Sequence, residues 1–204
     1  LVRAFLIAEE GRLLIDSDYE SLEPHCFASV AGDKNLQDIF NNGWDFYSTV
    51  AIRTEKLDEQ KDKYPDGVSA DKKAPNFLRK LEPKLRNKAK AYALGIPYGM
   101  GAYALGMNLG IATKDAKKLV DGYLNGFPEL KKWMERSKKQ AKEVGFVKTQ
   151  VGRIRHLPKV KSIYDRIGDD LLDWNIKKEM ERQYGVDKIK SLSRDFINGL
   201  NNSC

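Results

Sequence analysis

Along most of the chain, apolar residues fall in short groups at helical spacing, divided by glycine and proline, and the pattern predicts a mainly helical fold. The first group differs. Residues 12–18, RLLIDSD, follow a turn signal at Glu10-Gly11 and read as a buried strand that delivers a carboxylate at its end. SLEPHCFASVAG, residues 21–32, reads as a helix stopped by Gly32, with Pro24 early enough to sit in the first turn. Between residues 35 and 52, Leu36, Ile39, Phe40, Trp44, Phe46, Tyr47 and Val50 mark a helical pattern broken at Asn42-Gly43. Its aromatic residues are expected in the core.

Residues 53–83 turn charged and carry Pro65, Asp66-Gly67, Pro75 and Pro83, the composition of an insertion or a mobile lobe. A helix then runs over about 83–94, and Pro97, which lacks a backbone donor, predicts a bend just before Tyr98. Thr113 is a candidate N-cap for the next helix, whose apolar face is Ala116, Leu119, Val120, Tyr123 and Leu124 and which breaks at Gly126-Phe127-Pro128. A basic amphipathic helix follows over 129–144 and stops at Gly145. FVKTQVGRIRHLP, residues 146–158, alternates and turns at Val151-Gly152, as a basic β-hairpin would. Residues 160–190 are charged with apolar positions at helical spacing, and a helical run closes the chain over 192–200. No internal repeat is evident.

Composition narrows the class without naming it. At 204 residues and 41% hydrophobic content the chain can bury a sizeable core. The balance of 36 basic and 29 acidic residues, net +7, favours a polyanionic partner. Cys26 and Cys204 are too few and too distant in sequence for a disulfide framework, so a reducing compartment, the cytoplasm, is expected. No apolar run approaches a membrane span of roughly 18 residues, and no signal peptide is visible. The opening LVRAFLIAEE lacks an initiator methionine and the chain stops at NNSC without a closing element, so an internal segment of a longer polypeptide or a partial gene product is expected.

Residues 86–99, RNKAKAYALGIPYG, place Arg86, Lys90, Leu94 and Tyr98 at four-residue steps. On a helix successive members drift by only about 40°, so the set forms one face of roughly 18 Å. Two cations followed by an apolar platform suit a nucleoside triphosphate, although an amphipathic surface helix with a solvated basic stripe has the same spacing. Upstream, Asp16, Asp18, Glu20 and Glu23 cluster where the strand is expected to end. A carboxylate there, beside backbone carbonyls, is a hard oxygen site suited to Mg²⁺, although acidic clusters on turns are common.

Together these residues resemble motifs A and B of the family A DNA polymerases, the bacterial DNA polymerase I and phage replicative group. The family's D-Y-S-x-x-E-x-R is matched by Asp18-Tyr19-Glu20-Ser21-Leu22-Glu23-Pro24-His25. Its R-x-x-x-K-x-x-x-F/Y-G-x-x-Y-G is matched by Arg86, Lys90, Leu94, Gly95, Tyr98 and Gly99. Residues 123–158 look like the family's fingers helix and following hairpin, and Arg194 with Asn198 looks like its R-x-x-x-N primer-template helix. The resemblance covers most of the chain outside residues 53–82 and 160–190.

It implies an α+β, mainly α fold, part of the palm plus fingers of a right-hand polymerase. Residues 1–52 would be a palm segment with motif A, 53–82 a charged insertion, 83–145 fingers with motif B, and 146–204 a return towards the palm that ends before motif C. It also implies template-directed DNA synthesis from dNTP on primer-template DNA, with two Mg²⁺ ions. Asp18 and the Tyr19 carbonyl would hold metal, Glu23 would exclude a 2′-hydroxyl, and Arg86 and Lys90 would grip the triphosphate. Tyr98 would sit at the insertion site, Arg194 and Asn198 would touch the duplex, and Arg153, Arg155 and His156 would lie near the DNA path.

There are departures from the pattern. Leu94 stands where an aromatic ring packs on the incoming nucleotide, and Tyr47 where the family tends to place a histidine near the triphosphate. His25 replaces an arginine and is expected to be a hydrogen-bonded structural group, and Glu20 a surface residue. No His-Asp dipeptide of the motif C kind occurs in the 204 residues, so the chain alone is expected to be inactive and to need missing polymerase segments in cis or in trans. Two other readings stay open: a non-catalytic nucleic-acid-binding module, or one half of a split polymerase.

Overall fold

A computed structural model describes residues 7–201. The outermost residues of the first and last expected segments, with Cys204, lie outside the described residues. Their regular structure is helical apart from one short hairpin, with irregular chain over 7–21 and most of 55–77: α1 (Leu22–Ala31), α2 (Lys34–Asn41), α3 (Phe46–Thr54), α4 (Leu78–Leu81), α5 (Pro83–Gly95), α6 (Ala102–Leu109), α7 (Thr113–Gly126), α8 (Pro128–Val144), α9 (Pro158–Ile167), α10 (Trp174–Tyr184) and α11 (Val186–Asn201). Strands β1 (Phe146–Lys148) and β2 (Ile154–His156) pair antiparallel between α8 and α9, with Val147 opposite Arg155. No described helix is long and apolar enough to cross a membrane.

Local chemistry sets the helix ends where the sequence indicated them. Gly32 and Gly145 adopt positive φ, 65° and 76°, and end α1 and α8, a conformation that costs a glycine little. Proline opens α5, α8 and α9, where the missing N–H would have had no helical partner. Asp33 caps two helices at once. One carboxylate oxygen accepts from Leu36 N of α2 at 3.2 Å, and the other accepts from Glu129 N and Leu130 N of α8 at 3.0 and 3.1 Å. Three of the N–H groups that a helix start leaves orphaned are thereby satisfied by one buried side chain.

The helices enclose two cores. The larger joins Leu36 and Ile39 of α2, Val50 and Ala51 of α3, Ala89, Tyr92 and Ala93 of α5, Ala116 and Tyr123 of α7, and Leu130 and Met134 of α8. The smaller joins Ala141 near the end of α8 to Val160 and Ile163 of α9 and Ile189, Phe196 and Leu200 of α11. Helix α8 therefore runs through both. The charged segment 53–82 is anchored to the larger core by Leu57, Tyr64, Ala70 and Leu78, and Tyr64 and Lys63 both bond Glu82 at the foot of α5, at 3.2 and 2.9 Å.

Four expectations are corrected. Residues 12–18 form no strand, and Leu13, Leu14 and Ile15 stand 92, 64 and 88% exposed. A strand needs a partner edge, and among the described residues the sheet consists of β1 and β2 alone. Thr113 is the first helical residue of α7 and not its cap. The flanking position is Ala112, whose carbonyl accepts from Asp115 and Ala116 and whose side chain caps nothing. Trp44 lies outside the core at 36% exposure, just after a turn at Gly43 (φ 67°) across which the Trp44 N–H bonds the Ile39 carbonyl at 2.9 Å. The last helix begins at Val186, several residues before the apolar run that announced it.

Helices α6 and α7 pack around Gly106, where an added Cβ would come within 2.9 Å of the Ile111 carbonyl oxygen and 3.6 Å of the Ala116 Cβ. A glycine-to-alanine change inside a helix normally gains about 1 kcal/mol. Here the obstacle is backbone that cannot rotate away, so Gly106→Ala is expected to lose about 1–3 kcal/mol in urea unfolding at an unchanged m value.

Candidate active site

The face foreseen on α5 exists, but its first member is turned inward. Arg86 donates through Nε and Nη2 to the two carboxylate oxygens of Asp45, at 2.8 and 2.7 Å. Both side chains are largely withdrawn from water, Arg86 to 13% and Asp45 to 4% exposure. Asp45 is also the N-cap of α3, accepting from Ser48 N at 2.9 Å and Ser48 Oγ at 2.6 Å. Burial alone would raise the Asp45 carboxyl, but the bonds from Arg86 and Ser48 outweigh it and hold the group below the usual carboxylate range. The same pairing pushes Arg86 up, so both stay charged.

Lys90, one turn on, is exposed. Its Nζ lies 5.7 Å from the centroid of the Tyr47 ring, and the Arg86 guanidinium carbon lies 5.1 Å from the same centroid, so both cations approach one aromatic ring. Burial pushes the Tyr47 hydroxyl up, which keeps it a neutral hydrogen-bonding phenol. Lys90, Leu94 and Tyr98 line an open groove of about 480 Å³ with Asn87, Ala91, Gly95 and Met100. Tyr98 lies beyond the end of α5, in a turn where Gly99 N bonds the Ile96 carbonyl at 2.8 Å. Its hydroxyl donates to Glu23 Oε1 at 2.8 Å, and this carboxylate makes the phenol hold its proton more tightly. Glu23, in the first turn of α1, is thereby brought to the α5 groove across 75 residues of sequence.

Asp18 and Tyr19 lie on the extended segment before α1, exposed, Tyr19 to 78%. Glu20 beside them bonds Lys72 at 2.9 Å, which ties this segment to residues 53–82 and makes Glu20 a surface partner. A carboxylate and a backbone carbonyl are the hard oxygen donors that a small divalent cation takes, so their chemistry fits. Among the described residues, however, no group of three or more His, Cys, Asp or Glu side chains comes together.

The remaining candidates lie on other elements. Arg153 is on the hairpin turn and Arg155 on β2, both exposed. Arg194 and Asn198 are exposed on α11, which packs on α8, α9 and α10. His25 is structural, its Nδ1 2.8 Å from the Ser21 carbonyl and its ring stacked on Phe40 at 3.7 Å. His156 packs edge-on to Phe146. Sequence reasoning passed over Asp45 as anything but a neighbour of Tyr47. The spacing Asp45-x-x-Ser48 at the start of an apolar run was a capping signal, but nothing local announced Arg86 as its partner.

Residues 1–172 match the profile of DNA polymerase family A, and the chain belongs to that family. It is 32% identical over 161 residues to the thermostable DNA polymerase I of Thermus filiformis, covering 79% of this chain and 17% of that protein. It is also 32% identical over 195 residues to DNA polymerase I of Bacillus caldotenax, covering 96% of this chain and 19% of the relative. The chain thus spans less than a fifth of either relative's length. Among solved structures it resembles the POL domain of Pol1 from M. smegmatis, in complex with DNA primer-template and dNTP, with a TM-score of 0.57 and 25% identity over 90% of this chain and 26% of that one. The mainly helical architecture is that of part of a polymerase domain.

Removing Asp45 strands a mostly buried guanidinium and uncaps α3, so Asp45→Ala is expected to cost about 3–5 kcal/mol at neutral pH. Because the folded carboxyl is depressed, this contribution is complete above the unfolded value of about 4 and is lost as pH falls through the lower folded value. Denaturant melts of wild type and variant should therefore differ at pH 7 and converge as the pH drops below about 4.

Proposed function

We propose that the chain carries the nucleotide-holding part of the active site of a template-directed DNA polymerase, transferring a nucleotidyl group from dNTP to a primer 3′-hydroxyl. The observation that carries the reading is the α5 groove, in which Lys90 and Leu94 lead to a Tyr98 that is bonded to Glu23. A cation, an apolar wall and a carboxylate are the three kinds of group that meet the phosphates, the base and the sugar of a nucleotide. Lys90 would meet the triphosphate oxygens. Arg86, held through Nε and Nη2, would fix the helix and offer its remaining Nη1 to the phosphate oxygens. Glu23 would lie against the 2′ position of the sugar, where a ribose hydroxyl meets the carboxylate and the Tyr98 phenol. Leu94 would offer the base dispersion contact without an aromatic face.

Asp18 and the Tyr19 carbonyl would hold Mg²⁺, which when bound supplies Lewis-acid activation and charge neutralisation. The second carboxylate would come from polymerase segments in cis or in trans, since no His-Asp dipeptide occurs in these 204 residues. Arg153, Arg155, Arg194 and Asn198 would contact primer-template DNA. The domain order is proposed as palm segment, charged insertion, fingers and return towards the palm, in a phage-like enzyme of the family that works in the cytoplasm of a bacterial or phage-infected cell.

Titration of the chain with fluorescent dNTP and NTP analogues tests the groove. Lys90→Ala should weaken dNTP binding about tenfold or more, the size of a lost charge-assisted bond. Glu23→Ala should narrow the preference for dNTP over NTP, and Leu94→Phe should tighten dNTP binding a few-fold, since an aromatic contact adds about 0.5–1.5 kcal/mol. Indifference of binding to all three changes would sink the assignment. In primer extension by the complete polymerase, Asp18→Ala should abolish synthesis while leaving DNA binding intact, and continued extension would remove Asp18 from the metal site.

A further inference from the structure

The charged segment 53–82 reaches the site itself. Residues 69–77 close into a loop, with Ser69 N donating to the Asn76 carbonyl and Leu78 N to the Ser69 carbonyl, both at 2.9 Å, and buried Ala70, Phe77 and Leu78 anchor it. The base of the loop is seated on the cap of α3. The Ala70 carbonyl accepts from Asp45 N at 2.9 Å, while the Asp45 carboxylate holds Arg86. Two residues on, Lys72 Nζ donates to Glu20 Oε1 at 2.9 Å, across 52 residues of sequence. Glu20 follows Asp18 and Tyr19 directly and precedes Glu23, whose carboxylate bonds Tyr98. After Asp45 and Tyr47, Glu20 is a further charge that pushes the Arg86 guanidinium up, so its carboxylate lies within Coulombic reach of the first cation of the α5 face. A carboxylate in that place repels a triphosphate unless a cation neutralises it.

We propose that Lys72 is a further ligand of the nucleotide's phosphates, exchanged between Glu20 in the free chain and the triphosphate when a nucleotide occupies the α5 groove. The ion pair suits such an exchange. Its side chains are 47 and 76% exposed, and a solvated pair of this kind holds weakly, whereas a triphosphate presents several anionic oxygens at once. Lysine has a flexible four-carbon stem and three freely rotating donors, so Lys72 can change partner while its loop stays anchored. Arg86, locked in a planar fork on Asp45, has no such freedom. The inference deepens the nucleotide-holding reading of the α5 groove and rests on it.

The test is titration of the 204-residue chain with a base-labelled fluorescent dNTP in the presence of Mg²⁺, with inorganic tripolyphosphate as competitor. Lys72→Ala should weaken dNTP binding about threefold to tenfold and weaken tripolyphosphate competition by the same factor. Glu20→Ser should act in the opposite direction and tighten both about twofold to fivefold, because it frees the lysine and removes a carboxylate. Lys72→Arg should keep most of the affinity, and the loss in Lys72→Ala should shrink as salt is raised from about 0.05 to about 0.5 M. Circular dichroism of each variant confirms folding. A bond that merely ties the loop to the segment before α1 is broken equally from either side, so weaker binding in both Glu20→Ser and Lys72→Ala would overturn the proposal. Unchanged binding in both, or a loss on dNTP that tripolyphosphate does not share, would overturn it too. If Lys90→Ala weakens dNTP binding and Lys72→Ala does not, this inference alone falls. If binding is indifferent to Lys90→Ala, Glu23→Ala and Leu94→Phe as well, the groove reading falls with it.

Discussion

The pairing of Arg86 with Asp45 is the constraint around which the site is built. Two oppositely charged groups have been taken largely out of water, and neither is tolerable without the other. Because Asp45 is fixed as the cap of α3, the bidentate contact fixes the roll of α5 as well, and with it the direction in which Lys90 and Leu94 point. The Tyr47 ring, on the first turn of α3, is carried to the same place and receives both cations. Helix packing alone tolerates rotations of several degrees, and a fork of two hydrogen bonds does not.

The site was legible to the extent that its signals were local. Four-residue spacing survives translation into a helix almost unchanged, so Lys90 and Leu94 line one groove with Tyr98 as the sequence suggested, and glycine and proline marked the ends of α1, α5 and α8. The partner of Arg86 was not legible, since a contact across 41 residues leaves no trace in spacing and a capping aspartate looks alike whether or not an arginine also claims it. The short apolar run 12–18 misled for a related reason. Its composition records a preference to be paired and covered, and no described neighbour does either.

Charge was informative in bulk and silent in detail. The excess of lysine and arginine favours a polyanionic partner, yet it says nothing of how the individual cations divide their work. Some are spent internally, as Arg86 is on Asp45 and Lys142 on Asp169. Others, Arg153 and Arg155 among them, stand exposed on the hairpin and its turn. The geometry separates these two populations, and the second is the part of the excess that a phosphate backbone can meet.

Asp33 has a mechanical side beyond its bonding. Its carboxylate grips the first turn of α8 and the first turn of α2 together, close to the larger core, while the far end of α8 belongs to the smaller core and leads straight into the hairpin. Helix α8 has 17 residues, about 25 Å at the ordinary rise, so it is a lever with its fulcrum at one carboxylate. A tilt of only about 5° at the fulcrum would move the hairpin end by roughly 2 Å. The place of the arginine-bearing hairpin is thus tied, through the length of one helix, to the carboxylate that holds the helix's other end.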